Sequence, residues 1–142
     1  MLTQRNVQSA LLAAAMAAGI AAPALADTTL LRPVRDGGVT YITGGIGAAE
    51  RHALDDAARN YNLRISNANR AGDFTTDTDL TIQTKNGHEM LHVAATGPLF
   101  YAKLPAGDYI IRATNSGQQR VRDVTVASAK STDLHLIWPQ QG

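Results

Sequence analysis

The chain contains no cysteine, and only 5% of its 142 residues are aromatic. The lack of cysteine excludes disulfides, thiolate metal sites and thiol nucleophiles. Neither sign of charge dominates, because 13 Lys and Arg residues stand against 12 Asp and Glu residues. This balance gives no support to a nucleic-acid partner or to binding at an acidic membrane surface.

Residues 1–26 have the pattern of a cleavable export signal. Arg5 precedes an apolar core at residues 10–22, which is shorter than the roughly 20 residues of a membrane-spanning helix. Ala24-Leu25-Ala26 is the small-x-small pattern that precedes a signal-peptidase site. We predict cleavage after Ala26 and no membrane span in the mature chain, with an uncleaved anchor as the alternative. The lack of disulfides favours the bacterial periplasm over a eukaryotic secretory route.

The mature part is long enough for one domain with its own core and too short for two. Residues 27–38 contain Pro33 and Gly37-Gly38 and are expected to form an extended lead-in. The single domain is therefore predicted to span residues 39–139. Neither an internal repeat nor a low-complexity tract divides it.

A helical period is present over residues 48–60. Ala49, Ala53 and Ala57 fall on one side of such a helix, together with Leu54. The opposite side carries charged residues. The pattern predicts one short helix that lies close against a sheet through its small side chains.

The rest of the chain has the two-residue alternation of strands with one buried face. Strand segments recur about every ten residues with turn residues between them, which is typical of a sandwich. Asn86-Gly87 is a strong hairpin signal. Two apolar runs, 99–104 and 109–113, flank the turn Pro105-Ala106-Gly107-Asp108 and predict a second, central hairpin. The fold class is predicted as mainly β, an antiparallel β-sandwich of about seven strands with one short helix near its N-terminal end.

Several of these residues resemble the carboxypeptidase regulatory-like, or transthyretin-like, β-sandwich modules. The resemblance is carried by Gly97-Pro98, Leu104-Pro105-Ala106-Gly107-Asp108-Tyr109, Gly117 and Val124-Thr125-Val126. Those modules use an LPxGxY corner between two core strands. The segment 41–47 with Glu50-Arg51 is similar to small exported proteins of Gram-negative bacteria that carry such a module.

The resemblance implies a fold more than a function, because the superfamily includes binding, structural and enzymatic members. Its enzymatic branch, the hydroxyisourate hydrolases, ends in a Tyr-Arg-Gly-Ser signature. This chain ends in Trp138-Pro139-Gln140-Gln141-Gly142. That hydrolase activity is therefore not expected here.

His88-Glu89-Met90-Leu91-His92 matches the H-E-x-x-H motif of zinc proteases. In a helix the two histidines would share a zinc ion and Glu89 would act as general base. In a strand the same histidines stand about 13 Å apart, too far for one ion. Because Asn86-Gly87 and Gly97-Pro98 bound the segment closely, we expect the strand, and the zinc hydrolase remains an alternative.

Three other patterns have chemical interpretations. Gly44-Gly45-Ile46-Gly47 before a helix could receive a phosphate on its backbone N–H groups, but a sharp turn explains it more simply. The loop from Asp73 to Asp79, which includes Asp77, could hold calcium in an adhesive domain, although Asp is also an ordinary turn residue. The serines, at positions 66, 116, 128 and 131, lie in no nucleophile motif, and the sequence places no base near them.

No convincing catalytic set emerges, and the sequence predicts a non-enzymatic periplasmic binding or interaction module. We expect no catalytic residue, no cofactor and no bound metal. The expected partner is another periplasmic or envelope protein, which would contact an edge strand or a surface patch. The alternatives are the zinc hydrolase using His88, Glu89 and His92 and the calcium-stabilised adhesive domain.

Overall fold

Nine β-strands and one helix make up residues 31–139, the part of the chain that the computed structural model describes. The strands are β1 (Val34–Asp36), β2 (Val39–Gly44), β3 (Leu63–Asn69), β4 (Thr78–Thr84), β5 (Glu89–Thr96), β6 (Leu99–Lys103), β7 (Gly107–Asn115), β8 (Gln118–Val126) and β9 (Thr132–Trp138). Helix α1 spans Ala48–Ala57 and continues into a 3-10 turn at Ala58–Asn60. The predicted signal peptide at residues 1–26, with its cleavage point, lies outside the described residues.

The strands form two sheets, which confirms the predicted mainly β sandwich. Sheet A has the order β1-β2-β6-β3-β9, and sheet B has the order β5-β4-β7-β8. All neighbours are antiparallel except β3 and β9, which are parallel. The described residues contain nine strands, more than the expected seven, and β1 lies within the residues expected to be an extended lead-in.

The core lies between the inner faces of the two sheets. Its largest fully buried side chains include Trp138, Phe100 and Ile65 from sheet A and Ile82 and Ile111 from sheet B. The alternation that predicted the strands places these residues inward and their neighbours outward. Burying one such side chain contributes roughly 1.5–3 kcal/mol, so this layer supplies the main stabilisation of a domain without disulfides.

Helix α1 packs on the outer face of sheet A. Leu54 and Ala58 are buried there against Ile42 and Tyr101. The predicted stripe of alanines is only partly right, because Ala49 is exposed. The larger Leu54 sets which side of the helix faces the sheet. Within residues 31–139, no helix has the length and apolar content needed to cross a bilayer.

The predicted central hairpin is wrong, because the segment is a corner between the two sheets. Strand β6 pairs with β2 and β3 in sheet A, whereas β7 pairs with β4 and β8 in sheet B. The Tyr109 hydroxyl donates a hydrogen bond to the Pro105 carbonyl at 2.6 Å. This contact fixes the corner in the manner of the tyrosine corners of other sandwiches.

Several features interrupt the outer strands of the two sheets. Edge strand β1 has only three residues, and β5 pairs with β4 through two register shifts. Strands β8 and β9 are joined across the sandwich, because Thr132 Oγ1 donates to the Thr125 carbonyl at 2.9 Å and Arg120 Nε donates to the Ile137 carbonyl at 3.3 Å. Short, bulged or capped edges disfavour strand addition.

Buried Asn62 joins three separate segments at one end of the sandwich. Its side chain accepts a hydrogen bond from the Leu104 N–H at 2.9 Å and donates to the carbonyls of Leu104 and Ala127 at 2.8 and 3.1 Å. Its backbone carbonyl accepts the Thr132 N–H at 2.9 Å. Leu104 begins the crossing from sheet A to sheet B, and Ala127 begins the crossing back. A single amide therefore positions both crossings.

We predict that Asn62→Ala lowers the free energy of unfolding by about 2–4 kcal/mol, because it leaves buried backbone groups without hydrogen bonds. Urea denaturation followed by circular dichroism measures the change. Asn60→Ala, at an exposed position two residues away, is the matched control and should change stability by less than about 0.5 kcal/mol. Equal losses in the two variants would contradict this role for Asn62.

The buried tyrosines predict a loss of stability at alkaline pH. Burial raises the pKa of Tyr109, and burial also raises the pKa of Tyr61, above the ordinary value of 10.0. The folded state then keeps its phenolic protons at a pH where the unfolded chain loses them. The stabilisation is complete below pH 10.0 and falls as pH rises from there through the raised pKa values.

Tyr109→Phe removes one of these titrating groups, so its stability should fall less steeply than that of the wild type above pH 10.0. It should also be less stable at neutral pH, by roughly 1 kcal/mol for the lost hydrogen bond. Urea denaturation at neutral and alkaline pH gives both values. An identical fall in stability with pH for Tyr109→Phe and the wild type would contradict the contribution of Tyr109 to the alkaline loss of stability.

Candidate functional site

The H-E-x-x-H motif lies on a strand rather than on a helix. His88 is in the turn before β5, Glu89 is the first residue of β5, and His92 faces Thr81 of β4. His92 Nε2 lies 2.7 Å from Asp79 Oδ1, and both side chains are about half exposed. Among residues 31–139, no three His, Asp or Glu side chains come together to hold a metal ion. The shared histidine face of a zinc-protease helix is therefore not formed.

The three aspartates of the 73–79 loop have separate local roles. The Asp73 N–H donates to Asn69 Oδ1 at 3.0 Å, within the turn that follows β3. Asp77 has a positive φ of 61°, and its N–H donates to the Thr96 carbonyl at 3.0 Å. Asp79 lies in β4 beside His92. These contacts are typical of turns and of a paired strand.

The glycine segment before α1 binds a carboxylate of its own chain. The N–H groups of Gly45 and Ile46 donate to Glu50 Oε1 at 2.9 and 3.1 Å. Arg51 Nη1 donates to the Gly45 carbonyl at 3.1 Å. Positive φ angles at Gly45 and Gly47 produce the expected sharp turn from β2 into α1. The amides that could receive a phosphate are thus occupied by Glu50.

Ser66 and His135 meet on the outer face of sheet A, so the expectation that no base lies near a serine is wrong for Ser66. The parallel register of β3 and β9 places the two residues opposite each other. Ser66 Oγ lies 2.6 Å from His135 Nδ1. No local sequence pattern indicates this contact, because 69 positions separate the two residues.

This pair has the contact of a nucleophile with its base but no orienting partner in the described residues. A serine nucleophile requires a base that a third group holds in place. The nearest candidate on β9, Asp133, instead accepts a hydrogen bond from Arg64 Nε at 2.9 Å. His135 is exposed and borders a shallow depression of about 160 Å³. We interpret the pair as a cross-strand hydrogen bond on a solvated sheet face.

The most distinctive concave feature is a cleft at the end of sheet A where β3 and β9 begin. Its volume is about 310 Å³, and among its described lining residues none is acidic. Four cationic side chains line it, and we call it the basic cleft. They are Arg59, Arg64, Lys103 and Lys130. Ser128 and Ser131 add hydroxyl groups to the lining.

Each cation of the basic cleft comes from a different element. Arg59 lies in the 3-10 turn after α1, Arg64 on β3, Lys103 at the end of β6 and Lys130 in the connection from β8 to β9. The two crossings between the sheets bring these elements together. Buried Asn62, which holds both crossings, also lines the cleft.

Arg64 is held in place by two neighbours. Its Nε bonds to Asp133 Oδ1 at 2.9 Å, and its Nη2 donates to Ser131 Oγ at 2.7 Å. A guanidinium group has five N–H donors, so three remain for a ligand. Among the described residues, Arg59, Lys103 and Lys130 have no carboxylate at ion-pair distance. The cleft therefore combines one oriented cation with three that are available to an anion.

A second depression adjoins the basic cleft and shares Asn62, Lys103 and Ser128 with it. We call it the side groove. Its volume is about 500 Å³, and it extends along the corner at Pro105-Ala106 to Arg35 on β1. Arg35 is paired with Thr40 on β2, and Thr40 is paired with Lys103 on β6. Arg35 and Lys103 therefore lie in one row across sheet A.

Sequence reasoning missed the basic cleft because its cations are distant from one another along the chain. Lys103 and Lys130 belong to elements whose contact depends on the β6–β7 corner and on the parallel pairing of β9. The corner has a local signature in the LPxGxY residues, but the parallel pairing of β9 with β3 has none. The balanced total charge also concealed a one-sided local charge.

The glycine segment provides a test of this local structure. We predict that Glu50→Ala lowers the free energy of unfolding by about 1–2 kcal/mol, because it removes the acceptor for two N–H groups and an anion from the first turn of α1. Glu50→Gln should lose less stability, since its amide oxygen can still accept the hydrogen bonds from the two N–H groups. Asp56→Ala, at an exposed position of the same helix, is the control. A lower melting temperature for Asp56→Ala than for Glu50→Ala would contradict the role of Glu50.

Comparison with protein-family models gives no match, and comparison with curated proteins gives none either. Among solved structures, the chain is similar to "The Bacillus anthracis TIE protein", with a TM-score of 0.43 and 18% sequence identity. The similarity covers 56% of this chain and 16% of that one, so this chain spans a small part of that protein's length. At that TM-score the likeness carries no argument about fold or function.

Proposed function

We propose that this chain is an exported, non-enzymatic binding module whose ligand is an anion held in the basic cleft. One observation carries the proposal. Four cations from four elements line one cleft without a carboxylate in its described lining, although cations and anions nearly balance over the whole sequence. Only Arg64 is paired, with Asp133 beside the cleft, so three of the four charges are uncompensated by an ion pair within the described residues. A concave surface of one sign attracts and concentrates ligands of the other sign.

The chemistry of the cleft suits an oxyanion. Arg64 offers a planar fork of donors, which binds carboxylate or phosphate groups in a bidentate manner. Lys103 and Lys130 act as point charges on flexible stems, and Ser128 adds a hydroxyl donor. A volume of about 310 Å³ is at the lower end of the range typical of small-molecule sites.

Export to the periplasm is part of the proposal and rests on the sequence. Residues 1–26 have the basic start, apolar core and small-residue end of a signal peptide. The described domain obtains its stability from hydrophobic burial without disulfides, which suits a bacterial envelope protein. Metabolites and polymers of the envelope would then be the ligands to which the cleft is exposed.

We also propose a relationship to the carboxypeptidase regulatory-like, or transthyretin-like, modules. The Tyr109 hydroxyl bond to Pro105 supports it, because the LPxGxY residues act together at a corner between core strands. Gly97 supports it as well, since a side chain there would lie 2.8 Å from the Gly44 carbonyl. The proposed relationship concerns the fold, and the hydrolase activity of one branch of the family is not part of the proposal.

If the ligand belongs to a protein partner, the cleft is a better contact than an edge strand. Edge strands β5, β8 and β9 are bulged or capped, and β1 is very short. Strand addition needs an accessible row of backbone groups. A partner that offers an acidic segment to the cleft needs no such row.

The test is isothermal titration calorimetry of the purified protein with pyrophosphate at low ionic strength. We expect saturable binding that weakens as salt is added, because exposed charges are screened within about 8–10 Å. The double variant Arg59→Gln/Lys130→Gln should weaken binding about fivefold or more, which corresponds to the loss of two exposed ion pairs.

The matched control is Arg70→Gln/Lys85→Gln, which removes the same charge at exposed positions outside the cleft lining. It should bind pyrophosphate nearly as well as the wild type. Equal weakening of pyrophosphate binding by the two double variants would show a general effect of charge and would refute the cleft as the binding site. The absence of binding to the wild-type protein would refute the proposed function itself.

A further inference from the structure

The side groove extends the positive surface beyond the basic cleft. It contributes Arg35, and it shares Lys103 and Ser128 with the cleft. Among the described residues that line the side groove, none is acidic. Five cations thus border two adjoining depressions, with Lys130 in the basic cleft, Arg35 in the side groove and Lys103 in the lining of both.

The spacing of these cations suits a long ligand. Arg35 and Lys103 lie in one row with Thr40 between them, and neighbouring strands are about 4.8 Å apart. The two cations are therefore separated by roughly 10 Å at the backbone, two strand spacings. A single phosphate held between Arg59, Arg64 and Lys130 does not extend to Arg35.

The lining also indicates the chemistry of the ligand. No aromatic side chain lines the side groove in the described residues. The one aromatic residue in the described lining of the basic cleft is Tyr61, and it is buried in the cluster with Leu54 and Tyr101. Neither depression therefore offers an exposed ring on which a sugar or a nucleobase would stack. The lining instead combines the cations with hydroxyl groups, which come from Ser128, Ser131 and Thr40. Each unit of an oligophosphate carries acceptor oxygens that bond to a cation and to a hydroxyl at the same time.

We infer that the ligand is a linear oligophosphate that occupies the basic cleft and the side groove together, with Lys103 at the junction. This inference rests on the proposed anion-binding function. It adds that affinity depends on the length of the anion and on Arg35, which the cleft alone does not require.

The test compares orthophosphate, pyrophosphate, tripolyphosphate and a polyphosphate of about 15 units by calorimetry. The affinity of each phosphate ligand should increase with the number of its phosphate units until the ligand spans both depressions. Arg35→Gln should weaken the binding of the long polyphosphate about two- to fivefold, the loss expected for one exposed ion pair. It should leave pyrophosphate affinity unchanged, whereas Lys130→Gln should weaken both ligands.

Arg32→Gln is the matched control, because Arg32 is a nearby exposed cation outside the lining of the side groove. Equal effects of Arg32→Gln and Arg35→Gln on the long polyphosphate would overturn the inference. Circular dichroism of each variant checks that the fold is intact.

Two further outcomes separate the inference from the proposed function. If pyrophosphate binds in the cleft and length has no effect, the inference fails and the proposed function stands. If neither pyrophosphate nor any longer phosphate binds, both fail. Tighter binding of poly-L-glutamate than of polyphosphate at matched charge would identify an acidic polypeptide as the ligand and overturn the assignment to phosphate.

Discussion

The side chain of Asn62 is the contact on which the arrangement of the two sheets depends. It satisfies both backbone groups of Leu104 and the carbonyl of Ala127. These residues stand where the chain leaves sheet A and where it leaves sheet B. An amide can do this because it offers two donors and one acceptor oxygen in a plane. An apolar residue of similar size would fill the space and leave those backbone groups without partners, at a cost of about 1–3 kcal/mol each.

The same contact determines where the cations lie. Because Asn62 fixes the end of β6 and the start of the β8–β9 connection, it brings Lys103 and Lys130 to the same cleft as Arg64. The parallel pairing of β3 with β9 then sets Asp133 and Ser131 beside Arg64. The polar core at this end of the sandwich and the charged surface above it are therefore parts of one structure. A substitution in the polar core is therefore expected to alter the charged surface.

The sequence predicted the elements well and their partners poorly, for a physical reason. Alternation reports which face of a strand is buried, so it located the strands. The turn residues Asn86-Gly87 and Gly97-Pro98 indicated that the H-E-x-x-H segment is a strand rather than a zinc-binding helix. Alternation does not report which strand lies alongside. The run 109–113 therefore looked like the return strand of a hairpin with 99–104, although the two lie in different sheets. The Ser66–His135 contact and the basic cleft were missed because both arise from pairings between distant segments.

The clustering of cations has an energetic cost that the fold must offset. Two unit charges about 10 Å apart repel by roughly 0.4 kcal/mol in water and by more near a protein surface, before screening by salt. Five side chains make ten pairs, so at that spacing the unscreened repulsion is on the order of 4 kcal/mol, and dissolved salt and the Asp133 carboxylate beside Arg64 reduce it. That is comparable to the stabilisation expected from Asn62. If the cleft binds an anion as proposed, the anion would reduce this repulsion, and ligand binding would then stabilise this end of the sandwich.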